Sequence, residues 1–330
     1  MKTIRWGIIG CGDVTEVKSG PGFYKAANSQ LLAVMRRSGE RAADFARRHG
    51  VPRWHDDAEA IIRAPDIDAV YVATTPDSHR EYVLRCAAAG KPVLVEKPMA
   101  MERAECDEMI AACAAAQVPL WVAYYRRALP RFLAVRDLVQ GGAIGPVRMV
   151  TSRQFQPLRP APEMNPGSPP WRIDARRSGG GLFVDMVSHT LDFLDFVFGP
   201  IEAVRGFAGN QGGAYHPEDV VSVSYLFASG VYGSGAFCYA ADRDDEWNEI
   251  VGARGRIRFS TTKPVPIRVV RGDAVDEIAV DDPPHVHQPL IQTIVDELNH
   301  RGTCPSSGVS GARTTWVVDE VLREYRAAMG

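Results

Sequence analysis

The chain has 330 residues, 45% of them hydrophobic, with 38 Lys and Arg against 40 Asp and Glu for a formal net charge of -2. That length suits two domains, each able to bury a core, and the even charge balance argues against a nucleic-acid or other polyanion binder. The six cysteines (Cys11, Cys86, Cys106, Cys113, Cys238, Cys304) form no CxxC pair and no His/Cys cluster, so neither a disulfide framework nor a metal site is expected, and reduced thiols in a cytoplasm fit best.

Met1 to Trp6 leads straight into a strand pattern without a signal-peptide apolar stretch, and no apolar run approaches the ~20 residues that span a bilayer, so a cytoplasmic chain with no membrane partner is expected. Ile4 to Ile9 reads as a strand. It runs into Gly10-Cys11-Gly12-Asp13-Val14-Thr15, a glycine-rich turn opening a helix. Two glycines let backbone approach a pyrophosphate, whose charge the N–H groups of Cys11 to Val14 would receive. Thr15 stands where that fingerprint has a third small residue.

A strand at Leu31 to Met35 and a helix from Glu40 to His49 follow, then a strand at Ala69 to Ala73 and a helix near His79 to Ala89. The strand Val93 to Val95, a helix near Arg103 to Ala116 and a strand at Leu120 to Ala123 complete the series. Strands alternating with helices predict a parallel, doubly wound α/β sheet over residues 1–124 that binds a nucleotide. The second strand ends in Arg36-Arg37-Ser38, with Arg41 one turn on and no carboxylate, which favours NADP(H) over NAD(H). Ordinary surface arginines are the alternative. At the end of the third strand Thr74, Thr75 and Pro76 are expected to line the cofactor cleft, and His79 either contacts the ribose or is structural.

Val93 to Val95 ends abruptly in Glu96-Lys97-Pro98. Ligands bind at the carboxyl ends of strands in open α/β sheets, so these two charges face the crevice, and Pro98 restricts the direction of Lys97. Lys97 is thus a candidate acid/base, against the plainer reading of a strand-end ion pair.

Tyr124-Tyr125-Arg126-Arg127 leaves the last strand and precedes a helix from Arg131 to Gln140. Beyond Gly145-Pro146 the pattern changes to successive strands at 147–155, 220–227, 231–239, 249–251, 256–259 and 265–270. They predict an α+β second domain, residues 125–330, built on a large, mostly antiparallel sheet. Residues 157–170 hold six prolines, read as an ordered loop near the site or a lid. The segment Gly180 to Leu194 reads as a mostly apolar helix with Asp185, His189 and Asp192 at i, i+4 and i+7 on one stripe. Such a stripe is either a structural Asp-His pair or a carboxylate orienting a histidine beside a reacting hydroxyl. Two metal ligands at i, i+4 lack a third, so no metal is expected.

Together these motifs resemble the family of glucose-fructose oxidoreductase, inositol dehydrogenase and MocA (Gfo/Idh/MocA). The likeness rests on the Gly10/Gly12 turn, Thr75-Pro76 with His79, Glu96-Lys97-Pro98, Tyr-Arg-Arg-x-x-Pro, Gly179-Gly180-Gly181 and Asp185-x-x-x-His189. The resemblance implies a Rossmann domain followed by a sheet domain whose open face makes homodimers or homotetramers. It implies that Lys97, Asp185 and His189 form the catalytic trio, with Glu96 and Lys97 near the nicotinamide. Trp171-Arg172 is similar to the 1,5-anhydrofructose reductase branch, where such a pair reaches cofactor or substrate, and His287 would similarly reach the site. Tyr125 stands where many members have Asn, and Val187-Ser188 replaces a small pair.

The resulting expectation is an NADP(H)-favouring oxidoreductase, NAD being the second choice, acting on a secondary alcohol or ketone of a sugar, polyol or related cyclic compound. Lys97 is the first choice for the proton relay and His189, held by Asp185, the second. Tyr125, Arg127, Trp171 and Arg172 join them around the substrate. A non-catalytic nucleotide sensor of the same fold and an NAD-dependent glycosidase are the alternatives.

Overall fold

The computed structural model describes residues 1–159 and 170–329. The proline-rich stretch singled out above lies mostly at 160–169, outside the described residues. The chain packs as two units, Met1–Leu129 with Pro283–Ala312, and Pro130–Asp282 with Arg313–Gly330. Sequence placed everything after residue 124 in one domain, whereas 283–312 packs with the first unit. The cause is the helix Gln288–Leu298, whose Leu290, Ile291 and Ile294 are fully buried in one core with Trp6, Phe23 and Tyr71. Ser306 Oγ then donates to the Val122 carbonyl (2.7 Å), and Trp121 Nε1 to Glu297 (3.2 Å), tying this return to the last strand.

In the first unit β1 (Ile4–Ile9), β2 (Ser29–Met35), β3 (Arg53–His55), β4 (Ala69–Val72), β5 (Val93–Val95) and β6 (Leu120–Val122) form one parallel sheet in the order β3-β2-β1-β4-β5-β6. Alternate side chains enter two cores. Ile8, Tyr71, Leu94 and Trp121 face one, and Ile9, Val70, Val72, Val93 and Val95 face the other. Strands buried on both faces must be apolar throughout, which is why these runs read as continuous. The chain leaves β1 toward β2 and β3 and returns on the other side to β4, so the carboxyl ends of β1 and β4 part and form a crevice.

In the second unit eight strands, β7 (Val147–Pro157), β8 (Ile201–Gly209), β9 (Val220–Phe227), β10 (Tyr232–Ala241), β11 (Asp245–Gly252), β12 (Gly255–Phe259), β13 (Ile267–Arg271) and β14 (Ala274–Ile278), run in the order β14-β13-β12-β11-β7-β10-β9-β8. Pairing is antiparallel except between β7 and β10. The helix Ser188–Phe198 packs through Phe193, edge-on to Phe132 (4.9 Å between centroids) and Phe259 (5.5 Å). Among the described residues no helix is long and apolar enough to cross a membrane.

Candidate active site

The strand ends of the first unit gather the expected nucleotide-binding residues. Gly10 has φ +96°, and a Cβ there would stand 2.8 Å from Thr74 Cγ2 and 2.9 Å from the Ala73 carbonyl, so β1 and β4 approach each other only over a glycine. Gly12 differs. Its φ of -114° suits any residue, and an added Cβ would meet no protein atom closer than 3.9 Å. Glycine at 12 is therefore not required by the fold, whereas a dinucleotide phosphate lying on the turn would require it, and the cradle fits that group.

Asp13–Val17 is one short helix, and a second, Gly20–Lys25, follows a break. The first-turn N–H groups of Asp13 and Val14 have no intrahelical acceptor. Thr15 is buried and closes the turn through Oγ1 to the Gly12 carbonyl (2.6 Å), so a hydroxyl fills the third small position. Cys11 contributes only main chain, since burial pushes its thiol up to about 11. Its carbonyl accepts from Arg36 Nη1 at 3.3 Å, which lays that guanidinium beside the turn. Arg37 and Arg41 are exposed, and among the described residues none of Arg36, Arg37 and Arg41 joins an ion pair.

His79 supports the crevice rather than entering it. It is fully buried, with Nε2 3.1 Å from the Thr74 carbonyl and Nδ1 3.0 Å from that of Pro98. Burial lowers its pKa, favouring the neutral ring, which donates to one side at a time and bridges the end of β4 to the segment after Lys97. Thr74 also receives a hydrogen bond from Ser78 Oγ (2.8 Å), while Thr75 is half-buried and Pro76 buried.

At the end of β5 the partly exposed Lys97 is preceded by the buried Glu96. Oε1 of Glu96 accepts from the Tyr71 hydroxyl and from His287 Nε2 (3.0 Å), and Oε2 accepts the Lys97 N–H (3.1 Å). Burial alone would raise this carboxyl, but the hydrogen bond and charge of His287, the Tyr71 hydroxyl and the Lys97 ammonium hold it below the usual carboxylate range. Burial and the Glu96 charge push Tyr71 the other way, so it remains a donor. The Tyr125 ring packs on His287 with centroids 4.3 Å apart. Arg127 is buried and donates to the Pro305 carbonyl (3.1 Å), which gives it a structural contact in addition to any toward substrate. Tyr71 escaped the sequence reading because a tyrosine in Ala-Val-Tyr-Val looks like any apolar strand residue.

In the second unit the expected straight helix is not regular. Phe183–Val187 forms a π turn before the α-helix Ser188–Phe198, so the i, i+4, i+7 stripe drawn on an ideal helix is interrupted at Asp185. Asp185 is half-buried and pairs with Arg172 Nε at 3.1 Å, and the Arg172 guanidinium lies over the Trp171 ring at 4.5 Å. His189 and Asp192 are buried. Ahead of the π turn a Cβ on Gly181 would stand 2.5 Å from the Glu218 carbonyl oxygen, which is why small residues precede this helix.

Glu218 was not expected from sequence. Its carboxylate accepts the Gly181 N–H (2.7 Å) at the start of that helical segment, yet burial pushes its carboxyl up to about 7. An acid with a raised folded pKa loses stability as pH climbs from its unfolded value near 4.5 to about 7, because over that range the unfolded chain gives up its proton while the buried native carboxyl keeps it. At most about 3 kcal/mol is at stake. Thermal melts from pH 5 to 8 should show the wild type falling with pH and Glu218→Gln falling less. Equal slopes would remove Glu218 from the balance.

Residues 4–124 match the oxidoreductase family with NAD-binding Rossmann fold (GFO_IDH_MocA), and residues 132–258 match the GFO/IDH/MocA C-terminal domain. The chain is 38% identical over 316 residues to Oxidoreductase P35 of Formosa agariphila, covering 96% of this chain and 97% of that protein. It is 29% identical to 1,5-anhydro-D-fructose reductase of Ensifer adhaerens, over 98% and 96% of the two chains. The structure of aldose-aldose oxidoreductase from Caulobacter crescentus with glycerol superposes with a TM-score of 0.87 at 25% identity, over 99% of this chain and 98% of that one. The chain belongs to the GFO/IDH/MocA family and is an oxidoreductase of the NAD(P)-dependent dehydrogenase or reductase kind.

Proposed function

We propose that this enzyme prefers NADP(H) and acts on a secondary alcohol or ketone of a sugar, polyol or related cyclic compound, with Lys97 as its proton relay. The observation that carries the proposal is Lys97 at the carboxyl end of β5 with an ionised Glu96 fixed behind it. When bound, the nicotinamide supplies or accepts the hydride. In the reducing direction the Lys97 ammonium donates a proton to the carbonyl oxygen, and in the oxidising direction the amine takes the hydroxyl proton. His189, with Asp185, is the second candidate for that proton. The two named sugar oxidoreductases among its relatives support the substrate class.

The guanidinium groups of Arg36, Arg37 and Arg41, with no carboxylate paired to them among the described residues, support a 2′-phosphate on the ribose. The six scattered cysteines, which form no CxxC pair, support a reducing, cytoplasmic setting. Exposed Phe207, Tyr232 and Met149 on one face of the large sheet support a homodimer or homotetramer through that face.

Fluorescence titration with NADPH and NADH should give NADPH at least tenfold tighter, about 1.4 kcal/mol, and Arg36→Ala should remove most of that gap. Equal affinities would make the arginines surface residues. Sugar ketones should then oxidise free NADPH stoichiometrically. Turnover without net change in cofactor would instead indicate the glycosidase chemistry, and binding of neither nucleotide would sink the reading.

A further inference from the structure

We propose that His287 is a positioning residue for Lys97, acting through the carboxylate of Glu96. The inference rests on the reading of Lys97 as proton relay and deepens it. His287 lies 191 residues beyond Glu96 and reaches it only because the chain returns to the first unit. The residue sits immediately before the helix Gln288–Leu298, with Pro289 in the first turn, and its main-chain N–H donates to the Lys18 carbonyl at 3.2 Å. Both main chain and ring are thereby fixed, and the side chain is 2% exposed.

An ionised carboxylate can only accept, so Nε2 of His287 carries the proton in the 3.0 Å contact with Oε1. Tyr71 donates to the same oxygen, which leaves Oε2 turned toward the Lys97 N–H. With both oxygens held, the Glu96 carboxylate cannot rotate, and the Lys97 main chain is fixed from its N-terminal side. His79 fixes the other side through the Pro98 carbonyl. Apolar residues of similar volume would fill such a core at least as stably, since a buried charge is costly even when paired. The cluster converges on one residue, the partly exposed Lys97. The groups facing Glu96 are His287, Tyr71, Lys97 and, farther off, His79; Tyr125 and the Lys18 carbonyl face His287.

The test compares His287→Leu, which removes the donor, with His287→Gln, whose amide N–H can stand where Nε2 does. Two readouts apply: kcat and KM with NADPH across pH, and NMR of the cofactor-free protein after reductive 13C-methylation of its six lysines. The Lys97 resonance is assigned by its absence in Lys97→Met. In His287→Leu we expect kcat to fall at least tenfold while KM and NADPH affinity stay within about threefold, and the Lys97 resonance to move. The acid limb of the pH profile should shift upward, because Glu96 without its donor protonates at higher pH. His287→Gln should stay within about threefold of wild type. If the leucine variant does not fold, Tyr71→Phe, which deletes the other donor on Oε1, should change the same observables in the same direction. An unmoved Lys97 resonance with unchanged kcat, or equal losses in the leucine and glutamine variants, overturns the inference. Turnover retained in Lys97→Met overturns the relay reading instead, so the two failures are distinct.

Discussion

Lys97→Met is expected to lower kcat at least about 1,000-fold, some 4 kcal/mol of transition-state stabilisation, while NADPH binds within about threefold of wild type. The reasoning begins with the strand. Val95 is the last residue of β5 paired on both sides, to Val72 and Val122, and the Glu96 N–H still reaches the Val72 carbonyl at 2.8 Å. Regular pairing stops there, and Lys97 stands at the strand's carboxyl end. Methionine keeps the length and apolar stem of lysine but removes the only group that can exchange a proton. Lys97 is partly exposed and methionine matches its length, so the melting temperature should change little. Stopped-flow absorbance on nucleotide-loaded enzyme separates the loss of chemistry from loss of binding. Turnover above about a tenth of wild type would pass the role to His189, and His189→Ala should then carry the larger loss.

The architecture was legible wherever burial wrote a simple pattern. The continuous apolar runs of β1, β4 and β5 mark strands covered on both faces, and the same residues appear in the two cores of the first unit. The alternation that follows Pro146 marks a sheet with one buried face. Two strands of that sheet were not visible. In β8 the run Ile201–Gly209 interleaves Glu202, Arg205 and two glycines, and β14 is an exposed edge strand, Ala274–Ile278, with two acidic residues. The long helix Gly308–Met329 was also missed, since it opens on Gly-Val-Ser-Gly and offers no apolar start. The parallel pairing of β7 with β10 depends on how distant strands meet, which no local pattern encodes.

The candidate site divides along the same line. Glu96 and Lys97 could be read because charges at the end of an apolar strand are conspicuous. The helix of Asp185 and His189 was read as ideal, and the π turn at Phe183–Val187 changes its phase at the residue of interest. For His79, a polar residue at a helix start, ribose contact and a structural role were both open, and its buried ring faces the Thr74, Pro98 and Met99 carbonyls. Tyr71 and Glu218 show the opposite failure: each gains its role from a partner far away in sequence, Glu96 in one case and the Gly181 N–H in the other.

Gly10→Ala and Gly12→Ala should fail in different ways, although the two glycines sit two residues apart. At Gly10 an alanine must hold φ +96° and place its Cβ 2.8 to 2.9 Å from Thr74 and the Ala73 backbone, atoms anchored in the sheet through β4. Left-handed strain and overpacking together should cost about 2–4 kcal/mol of stability. NADPH affinity should fall at least tenfold with it, because β1 and β4 must part to make room. At Gly12 the backbone is extended and the nearest protein atom is 3.9 Å from the added methyl group, so stability should change by less than about 0.5 kcal/mol. NADPH affinity should nevertheless fall at least tenfold, since the methyl group stands where a phosphate must approach the turn. Thermal melts and fluorescence titrations of the two variants, run side by side, give the comparison. Unchanged NADPH binding in Gly12→Ala would mean that the nucleotide does not lie on this turn, and the assignment of the β1/β4 crevice would have to be withdrawn.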